Sequence, residues 1–316
     1  MAERIRVLSI DGGGIRGIIP ALVLAELERR AGRPVADLFD LVAGTSTGGI
    51  LALALALAQP GRDGRPARTA EELVELYETV GPRIFARDLL QRIRSVEGLA
   101  DERYSAEGLD RALKRYLGDT RLPDALTPVL VTAYDTAARE AVLLSRDDDL
   151  AMRDAARATA AAPTYFEALE LRVGGRDRSL IDGGVFAINP AMLAYAEVAR
   201  THPGAEVLLL SIGTGQLTRS LPFEQVSGWG LLEWARPIID VVFDGVADTI
   251  DLELEALLGP GPGRYWRLQT TLTEASDDLD DASPDNLRAL RRKGERLAAE
   301  RADDLDEVIG LLSSGS

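Results

Sequence analysis

The chain contains no cysteine and one histidine, His202, among 316 residues. Without thiols there is no disulfide framework and no thiolate metal site. A single imidazole does not make a histidine-based zinc centre, so neither a metal nor a cofactor is expected. The shortage also bears on nucleophilic catalysis: a serine hydroxyl needs a base within hydrogen-bond reach, usually a histidine. Here the base is His202 or it is a carboxylate. Positive charge is scarce as well, with 36 Lys and Arg against 51 Asp and Glu and a net charge of −15. That balance disfavours a nucleic-acid partner and repels an anionic lipid surface, so any membrane contact has to be local. Residues 83 to 94 are one candidate, because four arginines alternate there with Ile84, Phe85, Leu89, Leu90 and Ile93. A helix with a solvated basic face is the plainer reading of the same residues.

A long apolar leader is missing too. Met1 leads within a few residues into the strand-like Ile5 to Ile10, which leaves no room for a signal peptide, and a cytoplasmic location is the expectation. The uncharged stretch from Leu41 to Ala58 is just long enough to suggest a membrane span. Its middle, Gly44-Thr-Ser-Thr-Gly-Gly49, reads better as a strand, a tight turn and a buried helix. The Leu-Ala alternation that follows suits a helix, since both are strong helix formers and Ala is poor in strands. The apolar share, 46%, is ordinary for a globular protein and fills a large core.

Along the chain, the first sixty residues hold two strand–loop–helix units. The strand to Ile10 feeds Asp11-Gly-Gly-Gly-Ile-Arg-Gly17, and Ile18, Leu22, Val23 and Leu27 follow at helical spacing until Gly32 and Pro34. Phe39 to Ala43 forms a second strand that runs into Ser46. Both loops lie at carboxyl ends of strands, where open α/β sheets place their ligands. Residues 60 to 66 are a surface loop, and Thr69-Ala-Glu-Glu72 starts a helix with a capping signature. Strands are expected at 129–134 and 141–145. A helix is expected from Leu150 to Ala162, and a hairpin around Gly174-Gly175 whose second arm ends in Asp182-Gly-Gly184. Asn189-Pro190 opens a helix, Val207 to Ile212 is a buried strand, and residues 229 to 258 are mostly helical. The whole reads as one α/β domain over 1–316, with a core at about 4–215 and a helical C-terminal part at about 216–316.

Three motifs carry chemistry. Gly44-Thr-Ser46-Thr-Gly48, between an apolar strand and a helix, has the context of a nucleophile elbow, in which glycines permit the cramped turn that exposes the serine. The Gly12-Gly-Gly14 run lets backbone N–H groups converge at a helix N-terminus, suiting either a phosphate or the oxyanion of an attacked carbonyl. It lacks the Gly-Lys-Ser/Thr ending of a P-loop and the dinucleotide fingerprint. Asp182 closes an apolar strand ahead of two glycines and is the candidate base. A triad of Ser46, Asp182 and His202 would match the chain order of an α/β-hydrolase, but that fold puts several strands before its serine. His202 lies in Thr201-His-Pro-Gly204, a turn leading into a strand and not a loop following one.

Taken in order, Asp11-Gly-Gly-Gly-Ile-Arg-Gly17, Gly44-Thr-Ser-Thr-Gly48 and Asp182-Gly-Gly184 resemble the patatin-like phospholipase family, of a bacterial type. The resemblance extends to Ala156-Arg-Ala-Thr-Ala-Ala-Ala-Pro163-Thr-Tyr-Phe166, Leu210-Ser-Ile-Gly-Thr-Gly215 and Tyr265-Trp-Arg-Leu268, and so covers most of the chain. It implies a three-layer α/β/α fold around a mainly parallel sheet and a Ser–Asp dyad that works without calcium on phospholipids or other lipid acyl esters. Carried over by motif, Ser46 is the nucleophile, Asp182 the base, and Gly12, Gly13 and Gly14 the oxyanion donors. Arg16 supports the loop or a substrate phosphate. Ala160 stands where many members have a serine, which leaves the dyad untouched. The implied partners are a lipid substrate and a transient membrane surface. Some bacterial members look like effectors switched on by a nucleotide signal, which leaves a small-molecule activator open. A phosphate-binding module without catalysis is the other alternative. A free aspartate, with a pKa of about 3.9, is a poor base at neutral pH, so burial is expected to raise Asp182.

Overall fold

The computed structural model describes residues 3–59, 64–84, 104–234, 237–259 and 265–313. Eight strands form one sheet: β1 (Arg4–Ile10), β2 (Leu41–Gly44), β3 (Val129–Asp135), β4 (Glu140–Ser145), β5 (Leu169–Val173), β6 (Arg176–Asp182), β7 (Glu206–Ile212) and β8 (Tyr265–Leu268). Their spatial order is β5-β6-β3-β2-β1-β7-β8, with β4 paired to β3. From β3 through β2, β1 and β7 to β8 every pairing is parallel, and the pairings of β4, β5 and β6 are antiparallel.

Parallel strands need both faces covered, and the side chains divide accordingly with period two. Leu8, Ile10, Val42, Leu208, Leu210 and Ile212 join the core that also takes in the helices Ile18–Ala31, Thr47–Leu55 and Pro284–Glu300. Ile5, Val7, Leu41, Ala43, Val207 and Leu209 face the other way, onto Ala191, Ala194 and Val198 of the helix Ala191–Thr201 and Leu254 of the helix Pro237–Leu258. The result is the expected three-layer α/β/α fold.

Local signals fix the helix ends. Gly32 stops the first helix in the left-handed region (φ 63°, ψ 19°) and donates its N–H to the Glu28 carbonyl at 2.9 Å. Thr69 and Glu72 form a reciprocal capping box. The Thr69 N–H donates to Glu72 Oε2 at 2.9 Å, and the Glu72 N–H donates to Thr69 Oγ1 at 3.3 Å. The stretch from Leu41 to Ala58 resolves into β2, a turn and the helix Thr47–Leu55. Among the described residues no helix is long and apolar enough to cross a membrane.

The C-terminal part is largely helical, with one addition that the sequence reading did not make. Residues 265–268 extend the sheet as β8, parallel to β7. Four residues are too few for a periodicity to declare itself, and glycines and prolines precede them. From residue 85 onward, the basic amphipathic segment at 83–94 lies outside the described residues, as do 60–63 of the surface loop and 260–263 of the Gly-Pro run.

Candidate active site

Register explains why two residues 136 positions apart meet. β3 pairs with β4 along Leu130 to Asp135, with β2 at Val129 to Val131, and with β6 at Ala133 to Asp135. Since β4 overlaps both of the others, it occupies one edge of β3, and β2 and β6 share the opposite edge. β2 runs up that edge and ends at Gly44 opposite Val131. β6 runs down it and ends at Asp182 opposite Ala133. Ser46 and Asp182 therefore emerge on either side of Thr132. The Thr132 hydroxyl is hydrogen-bonded to the Thr45 hydroxyl at 2.7 Å, and Thr45 Oγ1 also donates to the Ala187 carbonyl at 2.6 Å.

Ser46 is one of few non-glycine residues with positive φ, at φ 54° and ψ −121°, and it caps the helix Thr47–Leu55. Such a conformation costs on the order of 1–3 kcal/mol and persists only where its surroundings enforce it. Close approach is part of that enforcement. A Cβ on Gly44 would lie 2.2 Å from the Gly48 carbonyl oxygen, and one on Gly48 would lie 2.2 Å from that of Ile10. The other part is a hydrogen bond from the Ser46 N–H to Thr159 Oγ1 at 2.8 Å.

Asp182 is buried, and its Oδ1 accepts from the Gly184 N–H at 2.7 Å. Burial raises its pKa to about 7, against the downward pull of hydrogen bonds from the Ser46 hydroxyl and the Gly184 amide. The rise expected from the sequence is present, and it leaves a carboxyl that changes charge near neutral pH while touching the serine.

The Gly-rich loop is oriented through its carbonyls. The Gly12 carbonyl accepts from Thr214 Oγ1 at 2.7 Å. The Gly13 carbonyl accepts from the Arg16 N–H at 3.1 Å and Arg16 Nε at 3.3 Å. In a trans peptide the next N–H points away from the carbonyl. The N–H groups of Gly13 and Gly14 are thus turned from Thr214 and Arg16, and they have no hydrogen-bond partner among the described residues. The Gly12 N–H differs, because it is held by the Ile188 carbonyl at 2.9 Å. Asp11 anchors the loop's start through a two-pronged ion pair with Arg267 of β8, at 3.0 and 2.5 Å. Arg16 itself is buried, with Nη1 unpartnered among the described residues, and burial lowers its pKa against the upward pull of Asp244 and Asp240.

Gly13, Gly14, Ser46 and Asp182 open onto one cavity of about 290 Å³, otherwise lined almost entirely by apolar groups. It follows the helix that starts after Ser46 as far as Ala54, a span of roughly 12 Å at 1.5 Å per residue, and is closed in by Leu73, Leu113, Tyr116 and Phe166. His202 is elsewhere. It caps the C-terminus of the helix Ala191–Thr201 ahead of β7, at the end of the sheet opposite the Ser46 turn, with Nδ1 2.9 Å from Thr201 Oγ1. Sequence reasoning missed Thr159, Thr214 and Arg267. All three lie inside the motif segments that carry the resemblance, but nothing in a lone threonine or arginine says which carbonyl, amide or carboxylate it will meet.

A family model described as Patatin-like phospholipase matches residues 8–195. Patatin-like protein 1 of Oryza sativa subsp. indica is 33% identical to this chain over 351 residues, covering 98% of the chain and 84% of the relative. Patatin-like protein 2 of Arabidopsis thaliana is 34% identical, covering 93% and 82%. Among solved structures, human GIVD cytosolic phospholipase A2 aligns with 98% of this chain and 60% of its own at a TM-score of 0.50, with 12% identity, a likeness of fold alone.

Proposed function

The chain belongs to the patatin-like phospholipase family, and on that footing we propose that it is a lipid acyl hydrolase of the phospholipase A or lysophospholipase type working through Ser46 and Asp182. The observation that carries the proposal is the meeting of a serine in a strained turn, a carboxyl titrating near neutrality and two N–H groups without a partner among the described residues at one end of an apolar cavity. Ser46 Oγ attacks the ester carbonyl as Asp182 accepts its proton. The carbonyl oxygen, now an oxyanion, is received by the Gly13 and Gly14 amides. Collapse expels the alcohol, which takes the proton from Asp182, and leaves the acyl group on Ser46. Water, deprotonated by Asp182, repeats the sequence and releases the fatty acid. In this scheme Gly12 shapes the loop and does not donate, and Arg16 and Thr214 orient the donors without touching substrate.

The cavity supports a lipid acyl group as the recognised moiety. Its walls offer a long chain burial and offer a polar substrate almost no partners. A phosphate-binding role for the loop has less support, because the Gly12 N–H and Arg16 Nε are both spent on protein carbonyls. The test is fluorophosphonate labelling together with hydrolysis of a panel of phospholipids and lysophospholipids read by mass spectrometry. Label on Ser46, with both label and hydrolysis lost in Ser46→Ala, is the expected result. Label on another serine in an active Ser46→Ala protein would overturn the assignment.

A further inference from the structure

The helix Pro237–Leu258 has apolar residues on two faces. Ile239 and Phe243, one turn apart, line the cavity, and Phe243 Cζ comes within 3.5 Å of where a Cβ on Gly184 would stand, just past Asp182. Ile238, Val241 and Val242, also at helical spacing, are exposed. Before this helix in the chain, Phe223 is 76%, Leu231 88% and Leu232 87% exposed, beside the edge-to-face pair of Trp229 and Trp234. A water-facing cluster of this kind marks a surface with a partner, and here it is continuous with the roof of the acyl cavity.

We infer that the surface formed by Phe223, Leu231, Leu232, Ile238, Val241 and Val242 seats the protein on a lipid surface without net negative charge, such as a zwitterionic phosphocholine layer, and holds the cavity mouth against it. Charge selects the occupant. Between 223 and 244 the sequence has four acids, Glu224, Glu233, Asp240 and Asp244, against one base, Arg236, and Arg219 before them is turned to Asp278 at 3.5 Å. An anionic leaflet attracts basic segments and repels acidic ones. A second copy of this chain would bring the same carboxylates and another net charge of −15 against them. A zwitterionic surface accepts the apolar side chains with no such repulsion.

The inference rests on the lipid-hydrolase reading for its purpose, but its test does not depend on turnover. Full-length Ser46→Ala protein is mixed with phosphatidylcholine vesicles and with vesicles containing increasing phosphatidylserine, and binding is read by co-sedimentation. Tryptophan emission gives a second readout, since Trp229 and Trp234 lie in the surface and Trp266 is buried in β8. Expected are binding to phosphatidylcholine with a blue shift, weakening as phosphatidylserine rises, and a loss of about tenfold or more in affinity when Leu231→Ser and Leu232→Ser are combined. With Ser46 restored, the double variant should keep wild-type turnover of a soluble short-chain ester and lose turnover of vesicle lipid. No binding to phosphatidylcholine, undiminished binding by the double variant, or tighter binding as phosphatidylserine rises would overturn the inference. So would light scattering that finds the wild type dimeric and the double variant monomeric without lipid. Vesicle binding without any hydrolysis by the Ser46 protein would instead count against the enzymatic reading and leave this surface standing.

Discussion

The Ser46 amide donates to Oγ1 of Thr159 at 2.8 Å, so the strained turn that presents the proposed nucleophile is held from outside by the last residue of the helix Met152–Thr159. Thr159 is fully buried and has no place in the proposed dyad. Thr159→Val keeps the volume and removes the acceptor. The N–H then loses its partner, at about 1–3 kcal/mol for a buried donor, and the turn loses its outer support. We expect kcat to fall about tenfold with KM nearly unchanged, and Thr159→Ser to restore most of it. A folded Thr159→Val protein with wild-type kcat would show that the turn holds itself.

The base is tested by a pair of substitutions. Asp182→Asn preserves the acceptor for the Gly184 N–H and removes the proton acceptor, while His202→Ala deletes the chain's single imidazole. Because His202 caps a helix at the far end of the sheet, His202→Ala should retain most of the hydrolytic rate and Asp182→Asn should lose nearly all of it. The opposite pattern in two folded variants would require a histidine-dependent mechanism.

Most of what positions this site was written locally, and the rest was not. Ser46 and the Gly-rich loop announce themselves because each sits in a short segment whose glycines answer a steric demand made within a few residues, as at Gly44 and Gly48. Asp182 was legible only in company, since an Asp-Gly-Gly triplet is also an ordinary turn. What brings it to Ser46, 136 positions away, is the sharing of one β3 edge by β2 and β6, a relation of register that no local pattern encodes. Thr214 and Arg267 were illegible for the same reason: their partners, Gly12 and Asp11, are more than two hundred positions away. The four residues of β8 carry too little periodicity to be told from loop.

The orientation of the oxyanion loop gives a prediction at Thr214. Thr214→Val removes the bond to the Gly12 carbonyl and keeps the bulk that packs under Gly13, where an added Cβ would meet Thr214 Oγ1 at 2.2 Å. Freed of its restraint, the Gly12–Gly13 peptide no longer aims the Gly13 N–H. A misaimed donor forfeits part of the roughly 2.7–4 kcal/mol that one oxyanion donor supplies in a protease. We expect kcat to drop between about threefold and a hundredfold. Gly13→Ala, which collides with Thr214 as well, should lose more than tenfold. Steady-state kinetics on variants with wild-type circular dichroism decide it, and unchanged kcat in both would remove this loop from the oxyanion site.

Burial of Asp182 sets activity and stability in opposition along the pH axis. Its carboxyl titrates at about 7 in the folded protein and near 3.8 when exposed. Between those values the native state keeps a proton that the unfolded chain releases. The stabilisation this gives is complete below about pH 4 and is lost as pH rises through 7, a change on the order of a few kcal/mol. The proposed mechanism needs the deprotonated form, so kcat/KM should rise with pH through an apparent pKa near 7. Other carboxyls, those of the buried Asp11 and of the partly desolvated Glu28, Asp240 and Asp244, are raised too and push stability the same way. Asp182→Asn isolates the one that matters, because asparagine stays neutral throughout. Urea unfolding at pH 5 and pH 8 should therefore find the asparagine variant gaining stability over wild type as pH increases. A pH-independent difference between the two proteins, or a flat pH–rate profile from 5 to 8, would mean that Asp182 is already ionised in the folded enzyme at pH 5 and that burial does not tune the base.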